Sequence, residues 1–124
     1  MADEPKDVTA DELLDLDERW QGDLAVLSVG GEVDMLSTPL LEERLRTVFA
    51  AGPSVVVLDL LGVRYLGSSG LAVLVGCRDA AGREGVDLRL VCAGESVLRP
   101  LTATALDELF DIYPEVEPAL AGRD

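Results

Sequence analysis

Histidine is absent from this 124-residue chain. With it go the commonest general base, a frequent metal ligand and every Ser-His-Asp or Cys-His triad. Only two cysteines are present, Cys77 and Cys92, spaced neither as a CxxC redox pair nor as paired zinc ligands. Metal and hydrolytic chemistry have little to work with, so no catalytic residue and no cofactor is expected. Aromatic residues make up 4% of the chain, and the core must be filled by Leu, Val and Ala. Positive charge is scarce as well: 10 Lys and Arg stand against 24 Asp and Glu, a formal net charge of −14. That balance speaks against nucleic acid and anionic membranes, which require a basic footprint, and makes a basic protein surface the more natural partner. Solubility accounts for the same charge equally well. No uncharged stretch approaches the roughly 18 to 20 residues that span a bilayer, and the opening "MADEPKDVTADE" lacks the basic and apolar regions of a secretory leader. A cytoplasmic location is expected. In that reducing setting the two cysteines are expected to be free, buried thiols, with a Cys77–Cys92 disulfide as the alternative.

What is present is 48% apolar, enough for one well-filled core in a chain of single-domain size. Residues 1–12 read as an acidic tail without fixed structure and 13–121 as the domain. In "LLDLDERW" the residues Leu14, Leu16 and Trp20 share one parity, as an edge strand requires; a short helix capped by Thr9 competes with that reading. "DLAVLSVGGEVD" alternates as a second strand, joined to the first by a turn at "QGD". In "STPLLEERLRTVFAAG" Thr38 is the expected cap, Pro39 the first helical residue and Gly52 the terminator. "SVVVLDLLGV" is a continuous apolar run, the pattern of a central strand covered on both faces. A helix is expected from about Ser69 to Arg83, closed by "GREG". The strand "VDLRLVCA" follows, then a helix over "ESVLRPLTATAL" capped by Ser96, a short strand "LFDIYP" and a final helical turn or two in "PEVEPALAG". Pro100 falls early in the third helix, where its missing N–H costs little. Strands alternating with helices imply right-handed crossovers. The fold expected is α/β: a mixed sheet of four to five strands with parallel inner strands and helices packed against it.

The stretch "RYLGSSGLAVLVGC" is the least ordinary. Ser68 and Ser69 fall where a strand gives way to a helix, so either could cap its free N–H groups. The first two turns behind them are apolar all round, which requires either burial on several sides or a partner. Gly67 and Gly70 permit close backbone approach, and the helix N-terminus tolerates an anion. The spacing matches neither a Walker loop nor a GxGxxG dinucleotide turn, and is one residue short of a GxSxG nucleophile elbow. Nucleotide binding is therefore the weakest of the readings.

Through "GGEVDMLSTPLLEERL", "VVVLDLLGVRYLGSSGLAVLV", "VDLRLVCAGESVLRPL" and "ALDELFDIYP" the chain resembles the STAS-domain anti-sigma factor antagonists. The resemblance runs from about Leu14 to near the C-terminus and is most specific in the middle block. It implies a small regulatory protein, not an enzyme. Such a protein binds an anti-sigma factor with serine kinase activity and so frees a sigma factor. It is switched off by phosphorylation and reset by a serine phosphatase. The phosphorylated residue maps onto Ser68. The family's G-E-L-D turn maps onto Gly31, Glu32, Val33 and Asp34, whose acids are implied to contact the partner, with Gly67, Ser69, Gly70 and Leu71 beside them. The acid that commonly precedes the switch serine is Gly67 here, which motivates an alternative: a constitutive, non-phosphorylated or redox-controlled scaffold or ligand-sensing module, the redox version using Cys77 and Cys92.

Overall fold

The apolar residues of "LAVLSVGGEV" divide between two cores. Ala25, Leu27, Val29 and Val33 are buried in the larger and Val26 in the smaller, so a strand at this position needs cover on both faces. The computed structural model describes residues 14–121; the expected tail at 1–12 and the alternative helix at Thr9 lie outside the described residues. In chain order the elements are β1 (Leu14–Gln21), β2 (Leu24–Val33), α1 (Thr38–Ala50), β3 (Val55–Leu66), α2 (Ser68–Glu84), β4 (Asp87–Val91), α3 (Leu98–Ala103), a 3-10 turn (Leu106–Leu109), β5 (Asp111–Tyr113) and α4 (Val116–Ala121). The five strands form one sheet in the order β1-β2-β3-β4-β5, antiparallel between β1 and β2 and parallel elsewhere. This is the mixed sheet the sequence predicts.

The larger core lies on the face that carries α1, α2 and α3. It gathers Leu41, Leu45, Val48 and Phe49 from α1, Val73, Leu74 and Cys77 from α2 and Leu101 from α3 against Val56, Leu58 and Leu60 of β3. On the opposite face Val26, Val55, Val57 and Val91 pack with Ala119 of α4. The Arg89 guanidinium is 2% exposed on this face. It donates to the Ala119 carbonyl at 2.6 Å and to Asp87 Oδ2 at 2.8 Å, tying α4 to the sheet. A buried guanidinium is tolerable because both of those acceptors meet it.

Several local expectations change. Thr38 is the first residue of α1 and not its cap; Ser37 occupies the cap position without a side-chain cap bond. Its hydroxyl is directed to the end of β2, donating to the Glu32 carbonyl at 2.6 Å. The expected third helix breaks into α3 and the 3-10 turn, with Val97 rather than Ser96 at the cap position. Pro100 is the third residue of α3, within its first turn. β3 continues beyond the apolar run to Leu66, staying paired with β2 through a bulge near Gly30 and Gly62. A Cβ on Gly62 would stand 3.1 Å from the Gly30 Cα and from the Val29 carbonyl, so a side chain there would press on the backbone of the neighbouring strand, a crowding that glycine avoids.

Candidate partner-binding site at the end of the sheet

The long β2–β3 ladder carries two segments to one end of the sheet. Glu32 lies opposite Tyr65 and Val33 opposite Leu66. One residue later the Gly67 N–H donates to the Val33 carbonyl at 2.9 Å, so the chain is still tied to β2 as it turns into α2. Gly67 is extended and occupies the cap position of α2, whose first two residues are Ser68 and Ser69. The N–H groups of Gly70 and Leu71 both meet the Gly67 carbonyl, at 3.0 and 3.1 Å. Neither serine hydroxyl caps α2, so the expected capping role is not filled by either. Ser68 is exposed, Ser69 half-buried and Gly70 buried.

Gly70 fixes how α2 sits. A Cβ there would fall 2.5 Å from Leu66 Cδ1 and 2.8 Å from Val33 Cγ1, so at this helix-to-sheet distance a side chain at that position would push the Leu66 and Val33 side chains aside. Behind it the apolar first turns are mostly covered: Val73, Leu74 and Cys77 are buried, Leu71 and Val75 half-buried. Only Ala72 and Gly76, which present little apolar surface, are exposed among them. Gly67 has another neighbour, for a Cβ on it would lie 3.2 Å from the Tyr65 ring and hydroxyl. The Tyr65 ring, 55% exposed, thus stands over the position where the resemblance leads one to expect an acid.

Glu32 and Asp34 lie at the same end, Glu32 exposed and Asp34 half-buried. Asp34 faces its own turn. Its Oδ1 accepts the N–H groups of Leu36 at 3.0 Å and Ser37 at 3.2 Å, and its N–H donates to Ser37 Oγ at 3.0 Å. Between these residues Met35 and Leu36 point outward, 79% and 69% exposed.

The start of α2 is also the electrostatically favourable end of a 17-residue helix with no acidic side chain in its first turn; its dipole and free N–H groups favour an added negative charge. Cys77 and Cys92 are free and buried. Burial pushes the Cys77 thiol up to about 12 and the Cys92 thiol up to about 11, so both are protonated at neutral pH and lack the thiolate that redox chemistry needs. Among the described residues no group of three or more His, Cys, Asp or Glu could hold a metal ion. No described helix is long and apolar enough to cross a membrane.

A family model for the STAS domain matches residues 16–119. The chain belongs to the STAS-domain family. Among its relatives, the anti-sigma-F factor antagonist RsfB of Mycobacterium tuberculosis is 36% identical over 99 residues, 80% of each chain. The anti-sigma-B factor antagonist of Bacillus subtilis is 31% identical over 91 residues, 73% of this chain and 83% of that one. A crystal structure of an anti-sigma factor antagonist from Mycobacterium paratuberculosis superposes with a TM-score of 0.83 at 33% identity, covering 93% of this chain and 97% of the other. Within this STAS domain, the residues singled out in the sequence converge at one sheet end, except Cys77 and Cys92 in the core. Sequence reading passed over Ser37, Met35, Leu36 and Tyr65. An apolar pair between an Asp and a Ser, in a strand-to-helix turn, was the available sign for the first three.

Proposed function

We propose that this STAS domain is an anti-sigma factor antagonist, switched by phosphorylation of Ser68. The names of its relatives support the first part. The second is carried by one observation: Ser68 is exposed at the start of a helix in which the Gly67 carbonyl meets the N–H groups of Gly70 and Leu71, so its hydroxyl is not taken up as a cap. In the unmodified form the surface of Glu32, Gly67, Ser68, Ser69 and Leu71, with the Asp34 turn beside it and Gly70 buried beneath it, docks against the anti-sigma factor, which thereby gives up its sigma factor. That anti-sigma factor acts as a serine kinase on the same site. The Ser68 Oγ attacks the γ-phosphorus of ATP, an O–P bond forms as the bond to the β-phosphate bridging oxygen breaks, ADP departs, and the hydroxyl proton passes to a base of the kinase. The product carries about −1.5 to −2 charge at neutral pH. Helix α2 tolerates this charge internally, whereas a partner surface fitted to the neutral hydroxyl meets desolvation and repulsion. Hydrolysis by a serine phosphatase restores the binding form.

The test uses purified anti-sigma factors of the chain's own organism, one at a time, with calorimetric affinities before and after incubation with ATP and mass spectrometry to locate phosphate. Binding to at least one of them is expected, with phosphate on Ser68 and an affinity about a hundredfold lower for the modified form and for Ser68→Asp. Unchanged affinity of Ser68→Asp, with no phosphate on Ser68, would sink the switch. Gly67 favours a second reading, a constitutive binder, because the partner meets the Tyr65 ring where an acid is expected; binding that ATP never weakens is its signature. The redox version has no such support, given two protonated, buried thiols.

A further inference from the structure

The acids of the β2–α1 turn are the residues that resemblance assigns to partner contact, yet the turn uses its acid on itself. The bonds close a ring: Asp34 Oδ1 holds the N–H groups of Leu36 and Ser37, the Asp34 N–H is held by Ser37 Oγ, and that hydroxyl is anchored on the Glu32 carbonyl. Ser37 itself is 0% exposed. One oxygen of the carboxylate, Oδ1, is committed to these two backbone donors, beside the Asp34 carbonyl that receives the N–H groups of Ser37 and Thr38, so turning Oδ1 to a partner's cation would take away the side-chain part of the turn's bonding. The same ring fixes the backbone of Met35 and Leu36 while leaving their side chains in water. Of the six large hydrophobic residues that are exposed among the described residues, Met35 and Leu36 are the most exposed at 79% and 69%, and Tyr65 stands third at 55%. All three lie at the Ser68 end of the sheet, since Tyr65 pairs with Glu32 and Gly67 is bonded to Val33. Apolar side chains held out on a fixed backbone are suited to binding, because little ordering remains to be done when they are buried.

We propose that Met35 and Leu36 are the apolar anchor of the docking face, and that Asp34 is a positioning residue acting through the turn rather than an acidic contact. The proposal rests on the docking function proposed above. It adds the kind of partner surface that fits: an apolar pocket on the anti-sigma factor that receives two adjacent aliphatic side chains, beside the place where Ser68 meets the kinase. Asp34 affects affinity only by keeping those two side chains presented. Its charge is dispensable, and its acceptor oxygen is not.

An isosteric substitution separates the two roles. Asp34→Asn keeps an Oδ1 that accepts the same two N–H groups and removes the charge, whereas Asp34→Ala removes both. With the anti-sigma factor that the unmodified chain binds, and the full chain as titrant, we expect Asp34→Asn to bind within about threefold of the parent and Asp34→Ala to lose about tenfold. A Met35→Ser and Leu36→Ser double variant should lose about a hundredfold. Its melting temperature should stay at the parent value, since both side chains are already solvated. Equal losses for Asp34→Asn and Asp34→Ala would mark the acid as a direct charge contact and overturn the proposal. Parent-like affinity of the double serine variant would overturn it too, as would sedimentation showing that a second copy of this chain occupies Met35 and Leu36. Where Asp34→Ala fails to fold, Asp34→Asn and the serine pair still decide. Ser68→Asp runs alongside as a control: if it loses binding while the turn variants do not, the function stands and the anchor falls. No binding by the parent chain discards both.

Discussion

At the Ser68 end of the sheet two helices begin side by side, and what supplements their backbone closure differs. The α1 start adds side chains to a backbone closure in which the Ser37 carbonyl receives the N–H groups of Leu40 and Leu41: Asp34 Oδ1 and Ser37 Oγ take up backbone N–H groups of the turn. The α2 start has the same backbone closure, the Gly67 carbonyl receiving two N–H groups, and adds packing instead of side-chain bonds: the Gly67 N–H is held by the Val33 carbonyl, and Gly70 fits against Leu66 and Val33. The first start therefore consumes its hydroxyl and carboxylate. The second keeps Ser68 and Ser69 out of its own support, although serine is among the residues most favoured for capping. A side chain that holds a fold together cannot also be modified freely, and a side chain that does not is available for chemistry.

Substitutions at the two starts should show this difference in stability. The largest effect is expected at Gly70, where Gly70→Val forces buried Leu66 and Val33 aside; denaturant unfolding should show a loss of about 3 kcal/mol. Near-parent stability there would mean that packing does not set the α2 start. Next comes Ser37→Ala, which leaves the Glu32 carbonyl and the Asp34 N–H without their partner; a loss of about 1 to 2 kcal/mol is expected. The smallest effects belong to Ser68→Ala and Ser69→Ala, each expected to stay within about 0.5 kcal/mol of the parent. A loss above about 1 kcal/mol for Ser68→Ala would make its hydroxyl structural after all and erase the contrast.

The order of strands and helices was legible because hydrophobic period and turn chemistry agree along most of the chain. "VVVLDL" is buried on both sides as its lack of alternation demands, and Gly52 and Gly85 end their helices with φ of +79° and +73°. Illegible were the places where a tertiary contact overrides a local preference. Ser37, Thr38 and Ser96 are all plausible caps by residue type, but Ser37 Oγ is claimed by the end of β2. The third helix stops at Ala103, followed by Ala105 at φ +62° without a glycine to announce it, while the Thr104 hydroxyl bonds back to the Pro100 carbonyl at 2.8 Å. At the site, Ser68 could be placed from its motif. The inward turn of Asp34 could not, because an acid that contacts a partner and one that closes a turn look alike in a sequence.

The bond from the Gly67 N–H to the Val33 carbonyl also bears on how fast such a device can respond. It locks the approach to Ser68 onto the central sheet, and the absence of a Cβ on Gly70 lets α2 seat directly on the same two strands. A group added at Ser68 therefore lands on a rigid platform, and what changes is the sign and size of the local field rather than the outline of the molecule. For the switch proposed at Ser68 this means that no slow rearrangement of the protein would have to follow the chemical event, and the delay between signal and response would be set by the enzymes that write and erase the mark.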